Sequence, residues 1–349
     1  MKRRQLLALG GALMGAGTVW AGPAPVSEAL DRAAIAVNAP QQAVLLSAAS
    51  SGNRIVAVGE RGIIALSDDG KAWRQAPAPT SVTLTAVRFA PDGRHVYAVG
   101  HGGTVLRSDD AGEHWTRLLE GRKLATLLVA EARAGGDARA LKQAEQLVTD
   151  GPDKPLLDMI VFDERHVLVV GAYGIALETM DAGATWSPWT ARLDNPKGLH
   201  LYVARLRGQE MLLAGEQGLA LLSQDGGRTF HRLEPGYKGS FFTGEMPADG
   251  SIVLAGLRGN AVMSSDQGAT WTAVRNDLPM SITASAIDAT GRVLFANQGG
   301  FLLTLRDGHL VPFPPPGSPP LPPLNAILPR AQGPLLALTV AGLVPVPTP

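Results

Sequence analysis

The sequence predicts an all-β propeller with seven four-stranded blades, and three observations lead to this prediction. A turn motif of the form S/T-x-D-x-G-x-T-W/F recurs along the chain. A second, glycine-bounded turn precedes the copies of that motif at a constant distance. Short runs rich in Val, Ile and Leu lie between the turns, and four such runs per repeat of roughly forty residues are typical of a propeller blade.

The turn motif has five copies, and its chemistry is that of a folded turn. Residues 179–186, 223–230 and 264–271 fit it fully, residues 108–115 carry His114 in place of Thr, and residues 67–73 are one residue short. The Asp and Ser/Thr oxygens accept backbone N–H groups of the turn, and the aromatic ring opens the next strand. The motif resembles the Asp-box, or bacterial neuraminidase repeat. We predict structural roles for Asp69, Trp73, Asp110, Trp115, Asp181, Trp186, Asp225, Phe230, Asp266 and Trp271.

The glycine-bounded turns set the predicted number of blades. Each of the first five turns begins eight residues before the first residue of a box. Successive turns are separated by 41, 71, 44, 41, 40 and 43 residues, so one spacing contains an insertion. Seven turns indicate seven blades. The turns begin at Gly59, Gly100, Gly171, Gly215, Gly256, Ala296 and Thr339.

Four strands are predicted in each unit, and the second unit illustrates them. Its apolar runs are residues 84–89, 95–99, 104–107 and 115–119, separated by turn residues. The last unit, residues 324–349, has room for only three strands. We therefore expect an N-terminal strand, around residues 33–38, to supply the fourth strand and close the ring.

Two segments depart from the repeat. The insertion, residues 121–155, is predicted to form a helical hairpin between blades two and three, because Leu124, Leu127 and Leu128 have helical spacing and Asp137 can cap a second helix. The hairpin is either a decorative lid or a docking surface. Residues 312–323 are rich in proline and predict an extended link between blades six and seven.

The composition of the chain and its first residues limit the kinds of partner and the cellular location that we expect. Lys+Arg 31 against Asp+Glu 31 gives no net charge, which argues against nucleic acid as a partner. The absence of Cys excludes disulfides and thiolate metal sites. Residues 1–21 are typical of an export signal, with a twin-arginine-like pair at Arg3 and Arg4, although general secretion remains open. The mature chain, residues 22–349, is predicted to be one periplasmic domain that does not span the membrane.

No catalytic residue, metal site or cofactor is predicted. The 7 His have no ligand spacing, and nucleophile and phosphate-loop motifs are missing from the sequence. Sialidases also carry Asp-boxes, and they need three arginines, a Tyr–Glu pair and an acid/base Asp. Tyr173 and Glu216 could form such a pair, but no arginine trio has a supporting context. A sialidase-like or other glycan-binding propeller therefore stays as the alternative.

A binding face is expected where the glycine turns and the connections between blades share one side of the ring. The turn residues there are mostly polar and mixed in charge. We expect the hairpin to form much of a docking surface together with neighbouring turns. The candidate partner-binding residues are Arg61, His101, Tyr173, Glu216 and Arg258 on the turns, and Arg88 and Arg205 on inner strands.

Residues 96–106, VYAVGHGGTVL, and the repeat around them are similar to the photosystem II stability and assembly factor family. The resemblance covers roughly residues 40–349 apart from the insertion. It implies a seven-bladed propeller without enzymatic activity, and non-photosynthetic relatives are exported proteins associated with transporters of the resistance-nodulation-division type. The insertion and the mixed turn charges depart from the basic patch of the photosynthetic members. We therefore expect an exported scaffold that assists a membrane protein complex or transporter.

Overall fold

The protein folds as an all-β propeller of four-stranded sheets with few helices, as the sequence predicts. The computed structural model describes residues 28–313 and 319–347. The predicted export signal and residues 314–318 of the proline-rich link lie outside these ranges. Within them no helix is long and apolar enough to cross a membrane.

Consecutive strands pair antiparallel within each unit. The first three units contain β1 (Leu45–Ser51), β2 (Arg54–Gly59), β3 (Ile64–Ser67), β4 (Arg74–Ala76); β5 (Leu84–Phe89), β6 (Val96–Gly100), β7 (Thr104–Ser108), β8 (Thr116–Leu119); and β9 (Leu156–Val161), β10 (Val167–Gly171), β11 (Ala176–Thr179), β12 (Ser187–Pro188). The next two contain β13 (Leu201–Arg207), β14 (Glu210–Gly215), β15 (Ala220–Ser223), β16 (His231–Arg232); and β17 (Phe241–Glu245), β18 (Ile252–Gly256), β19 (Ala261–Ser264), β20 (Thr272–Asn276). The last strands are β21 (Ile282–Ile287), β22 (Val293–Asn297), β23 (Leu302–Arg306), β24 (His309–Phe313); and β25 (Leu324–Leu328), β26 (Leu335–Thr339), β27 (Gly342–Val346).

The second strand of each unit is largely apolar because both of its faces are covered. β6 (VYAVG), β10 (VLVVG) and β18 (IVLAG) are buried at every residue, as expected for strands sandwiched between neighbouring sheets. The outer strands β8 (TRLL) and β20 (TAVRN) are instead exposed at half or more of their residues. The core therefore lies between successive sheets and not within any single one.

The first strand of each unit lies against the first strand of the next. These contacts run from β1 through β5, β9, β13, β17, β21 and β25, and β25 contacts β1 again. The inner strands therefore surround a central channel. On the outside, β20 and β24 pair in parallel and join two four-stranded units into one eight-stranded sheet.

The prediction that residues 33–38 add a fourth strand to the last unit is wrong. These residues form no strand, and the sheet β25–β27 has three. The Ala34 N–H donates to the Ala78 carbonyl (3.1 Å) and the Val37 N–H to Gln75 Oε1 (2.7 Å), which holds the segment beside the first unit. The Val37 N–H therefore bonds to a side chain and not to the backbone carbonyl of a neighbouring strand, as it would in a β-sheet.

Two helices, α1 (Gly121–Gly135) and α2 (Ala138–Thr149), lie between β8 and β9. The side chains of Glu120 and Asp137 accept backbone N–H groups of their first turns. Leu124 and Leu128 are buried in the same core cluster as Trp186, so the hairpin packs on the propeller. A Cβ on Gly121 would lie 1.8 Å from the Pro152 carbonyl oxygen, because the two ends of the hairpin meet there.

The Asp-boxes form the turns between third and fourth strands. In the last copy, Ser264 Oγ donates to Asp266 Oδ1 (2.8 Å) and accepts the Gly268 N–H (2.7 Å), while Asp266 Oδ1 accepts the Thr270 N–H (2.8 Å). Gly268 has φ 89°, and a Cβ there would lie 2.7 Å from Leu233 on the preceding unit. The box therefore folds its own turn and also fits closely against its neighbour.

The box aromatics differ in burial, which the motif alone does not predict. Trp115 and Trp186 are buried, with 7% and 5% of their surface exposed. The other three rings are only partly buried: Trp73, Phe230 and Trp271.

We expect the boxes to make stability fall in acid. Hydrogen bonds from Thr185 and Thr270 lower the pKa of Asp181 and Asp266 to about 2, below the value of about 3.9 for an unfolded Asp. Since the folded pKa is depressed, the contribution is present above pH 4 and is lost as the pH falls towards 2. Asp266→Asn should therefore melt below the parent at pH 6, and the gap in melting temperature should narrow between pH 4 and pH 2. A difference in melting temperature between the parent and Asp266→Asn that stays constant from pH 6 to pH 2 would contradict this role of the carboxylate.

Candidate functional site

The turns between second and third strands lie next to the central channel. One backbone N–H of each turn donates to the carbonyl that precedes the inner strand of its own unit, as Glu216 does to His200 (2.9 Å) and Leu257 to Ser240 (3.0 Å). The next residue of several turns is exposed and has a left-handed backbone. Such a conformation costs about 1–3 kcal/mol for a residue other than glycine. These residues are Arg61 (φ 54°), Tyr173 (φ 60°), Gln217 (φ 54°) and Arg258 (φ 58°).

Tyr173 begins a row of aromatic rings that crosses three units. Its ring is 50% exposed and meets His200 edge to face at 5.4 Å between centroids. His200 contacts Tyr202 at 6.1 Å, and Tyr202 contacts Phe242 at 5.6 Å. Edge-to-face packing of this kind stabilises each ring against its neighbour. The row therefore gives the channel mouth a fixed apolar edge.

Glu216 lies beside the same row. Its Oε2 accepts the His200 N–H at 3.1 Å, just as Glu60 Oε1 accepts the Val44 N–H at 3.1 Å in the first unit. Burial raises the pKa of Tyr202, and the nearby Glu216 carboxylate adds to the shift. Tyr173 and Glu216, which the sequence suggests as a possible Tyr–Glu pair, thus share His200 as a common neighbour.

A groove of about 520 Å³ separates the helical hairpin from the third unit. Its apolar lining comes from both sides, with Leu128, Ala144 and Leu147 on the helices and Tyr173 and Leu193 on the propeller. This volume lies in the range of about 300–1,000 Å³ found for ligand pockets. Tyr173 is therefore the residue at which the groove and the aromatic row meet.

The other predicted turn residues lie apart from the groove. His101 Nδ1 is 3.4 Å from Asp153 Oδ1, near the end of the hairpin. Arg61 and Arg258 are exposed on turns of the first and fifth units. The structure thus brings Tyr173, Glu216 and the hairpin together, and it places Arg61 and Arg258 elsewhere on the same face.

The two predicted inner-strand arginines belong to a charged network inside the channel. Arg88 Nη2 is 2.8 Å from Asp158 Oδ1, and Arg205 Nη1 binds the other oxygen of Asp158. Arg205 Nε is also 3.4 Å from Glu245 Oε2, and Glu245 Oε1 accepts the Ser285 hydroxyl at 2.8 Å. Burial alone would lower the pKa of Arg205, but the Glu245 and Asp158 carboxylates raise it above its usual value. The network links inner strands of five units.

This pairing bears on the sialidase alternative. Arg88 and Arg205 are paired with Asp158, and Arg207 binds Glu210 (2.8 Å) and the Pro247 carbonyl (2.7 Å). All three arginines are therefore engaged by acceptor groups of the chain itself.

The fold and this face define an Asp-box propeller with a groove beside its central channel. Its particular family follows from comparison with known proteins. The family model described as photosynthesis system II assembly factor YCF48 matches residues 138–311. The chain belongs to this Ycf48-like propeller family.

Individual relatives are more distant. The photosystem II assembly lipoprotein Ycf48 of Synechococcus sp. (strain CC9902) is 35% identical over 77 residues, which span 22% of this chain and 23% of that relative. A solved structure of YCF48 bound to a D1 peptide has a TM-score of 0.64 at 15% identity, covering 91% of this chain and 97% of that one. YCF48 from Cyanidioschyzon merolae gives 0.62 at 17% identity, covering 87% and 95%. At these identities the structures support the fold alone.

Proposed function

We propose that this protein is a non-enzymatic, exported binding protein that assists the assembly or function of a membrane protein complex. Its family supports this reading, since relatives are described as assembly factors and one was solved with a peptide bound. The observation that carries the proposal is the groove between the hairpin and Tyr173, on the side of the ring where the turns are exposed. A transporter of the resistance-nodulation-division type is one candidate complex.

The proposal includes a ring of seven blades, with the hairpin between blades two and three. The closed cycle of contacts among the seven inner strands supports this count, because each inner strand contacts two others. The three-stranded unit β25–β27 then closes the ring through contact of β25 with β1. A ring of this kind is a rigid support on which loops and insertions form a binding face.

The hairpin is the element that we expect to bind the partner. Its buried leucines pack on the propeller, while its outer faces are charged, with Arg133 and Glu145 forming an exposed ion pair (3.5 Å). The blade repeat does not need the hairpin, and its ends meet at Gly121 and Pro152. The hairpin can therefore be removed with little change to the backbone path of the ring.

Removing the hairpin should abolish partner capture while the ring still folds. We would replace residues 122–150 by a short Gly/Ser link and measure crosslinking and pull-down from the native envelope. This deletion keeps the Gly151 carbonyl, which accepts from the buried Lys154 ammonium at 2.7 Å. The melt should stay cooperative at a lower temperature, because the propeller residues beneath Leu124 and Leu128 become exposed. Replacing residues 289–291, on the opposite side of the ring, by Gly-Ser-Gly is the control. Full partner capture by the folded deletion variant would overturn the proposal.

A single substitution tests the same face without exposing the core. Tyr173→Gly removes the exposed ring from a residue with φ 60°, a conformation that glycine adopts without strain. Stability should be unchanged or slightly higher, whereas partner capture should fall severalfold. Gln217→Gly is the matched control, since Gln217 (φ 54°) has the equivalent position in the next unit. Equal capture by the two variants would exclude Tyr173 from the interface.

A further inference from the structure

The lining of the groove is more apolar than polar. Small residues line its helical side, among them Ala132, Gly135, Ala140 and Ala144. Small side chains let the backbone of a bound segment approach closely, and the leucines beside them offer apolar contact. The shape and lining therefore fit a peptide segment with apolar side chains.

Charged side chains of both signs lie around the groove. Its lining includes the carboxylates of Asp137 and Asp194 and the guanidinium of Arg139, and Arg232 Nη1 donates to the Asp194 backbone carbonyl at 3.4 Å. Arg192, close by in sequence, is stacked over the Trp189 ring at 4.6 Å and is not part of the lining. Asp194 is exposed on the wall opposite the helices. The exposed Asp194 carboxylate attracts a cationic ligand and disfavours an acidic one.

Tyr173 adds a second feature that suits a cation. Its half-exposed ring lines the groove and is held in place by the edge contact with His200. The face of a tyrosine ring attracts an ammonium or guanidinium group within about 6 Å. The Tyr173 ring and the exposed Asp194 thus line the same groove.

We propose that this groove binds a segment of the membrane partner that combines apolar side chains with at least one lysine or arginine. The inference rests on the proposed function and names the chemistry of the partner. The apolar side chains pack against Leu128, Leu147 and Leu193, and the cation lies near Asp194 and the Tyr173 ring. Because the attraction between the bound cation and Asp194 is electrostatic and exposed to solvent, binding weakens as the salt concentration rises.

Selection from a displayed library of random twelve-residue peptides tests the proposal on the mature full chain. Binders should be enriched in Leu, Ile, Val or Phe together with Lys or Arg, and depleted in Asp and Glu. Ala140→Trp, which fills the groove from an accessible wall position, should lose this enrichment while keeping a cooperative melt. No enrichment with the parent, enrichment in acidic peptides, or enrichment retained by Ala140→Trp would each overturn the inference.

Charge reversal on the rim gives a quantitative test with the selected peptide. Asp194→Lys should weaken its binding by about tenfold. Asp277→Lys makes the same change on the connection that follows the fifth unit, where the Asp277 side chain is 79% exposed, and should leave binding within twofold. Equal loss in both variants would show a non-specific effect of net charge and would count against the groove.

The outcomes separate this inference from the proposed function. If hairpin deletion abolishes partner capture but Ala140→Trp and Asp194→Lys do not reduce it, the proposed function stands and the groove inference falls. A concentration-dependent dimer that Ala140→Trp abolishes would assign the groove to a second copy of the chain, which also overturns the inference.

Discussion

Asp158→Asn should destabilise the protein by about 3 kcal/mol. The Asp158 side chain is only 5% exposed and pairs with both Arg88 and Arg205 inside the channel. Removing one partner of a buried pair leaves an uncompensated charge and costs about 3–5 kcal/mol. We expect the lower end of that range, because the Arg88 side chain is 35% exposed and can gain water. Urea unfolding of the two proteins gives the difference directly.

Glu113→Gln is the matched control for this result. Glu113 also joins two arginines, Arg54 and Arg74, but it lies at the surface with its side chain 34% exposed. Exposed ion pairs are worth about 0–1 kcal/mol. A loss for Asp158→Asn no larger than that for Glu113→Gln would mean that the channel network contributes little to the ring.

The network also shows why part of the site could not be predicted from the sequence. Arg88 and Arg205 were singled out as inner-strand cations, and the structure places both in the channel. Asp158 lies 70 positions from Arg88, and Glu245 lies 40 positions from Arg205. No local sequence pattern indicates either pairing. An alternation of charge around a ring depends on which strands become neighbours, and that is fixed by the tertiary fold.

The fold class could be predicted because its signals are local. In the second unit the expected strands at 84–89, 95–99, 104–107 and 115–119 agree with the observed bounds to within one residue at each end. Gly, Asp and Ser/Thr at fixed spacings define each turn within eight residues. The failed prediction for residues 33–38 depended instead on a distant partner, and Gln75 and Ala78 bind that segment elsewhere.

The aromatic row was missed for a related reason. Only Tyr173 belongs to a repeated turn position, whereas His200, Tyr202 and Phe242 occupy the starts of inner strands in two different units. No spacing rule connects them in sequence. One signal was available, because aromatic residues are only 5% of this chain and several fall at the start of a predicted inner strand.

The second large effect is expected at Trp189, which belongs to no Asp-box. Its ring is 1% exposed, lies 6.0 Å from the Phe230 ring, and donates from Nε1 to Glu178 Oε2 at 2.9 Å. A Cβ on the box residue Gly227 would lie 2.5 Å from this ring, so Trp189 fills the contact between the third and fourth units. Trp189→Ala should therefore cost about 3–5 kcal/mol through lost burial and the cavity left behind.

Trp271→Ala provides the comparison, because Trp271 is a box residue with a ring that is only partly buried. The Trp271 side chain also donates a hydrogen bond, from Nε1 to the Gly268 carbonyl at 3.0 Å. The two substitutions therefore differ mainly in how much buried ring surface they remove. Trp271→Ala should lower the free energy of unfolding by less than about 3 kcal/mol, since the partly buried ring contributes less buried apolar surface than Trp189 does. Urea unfolding at pH 7 measures both variants, with unchanged denaturant slopes as the check that both unfold in the same way. If Trp271→Ala were the more destabilising, the motif aromatic and not the contact between units would dominate the stability of the ring.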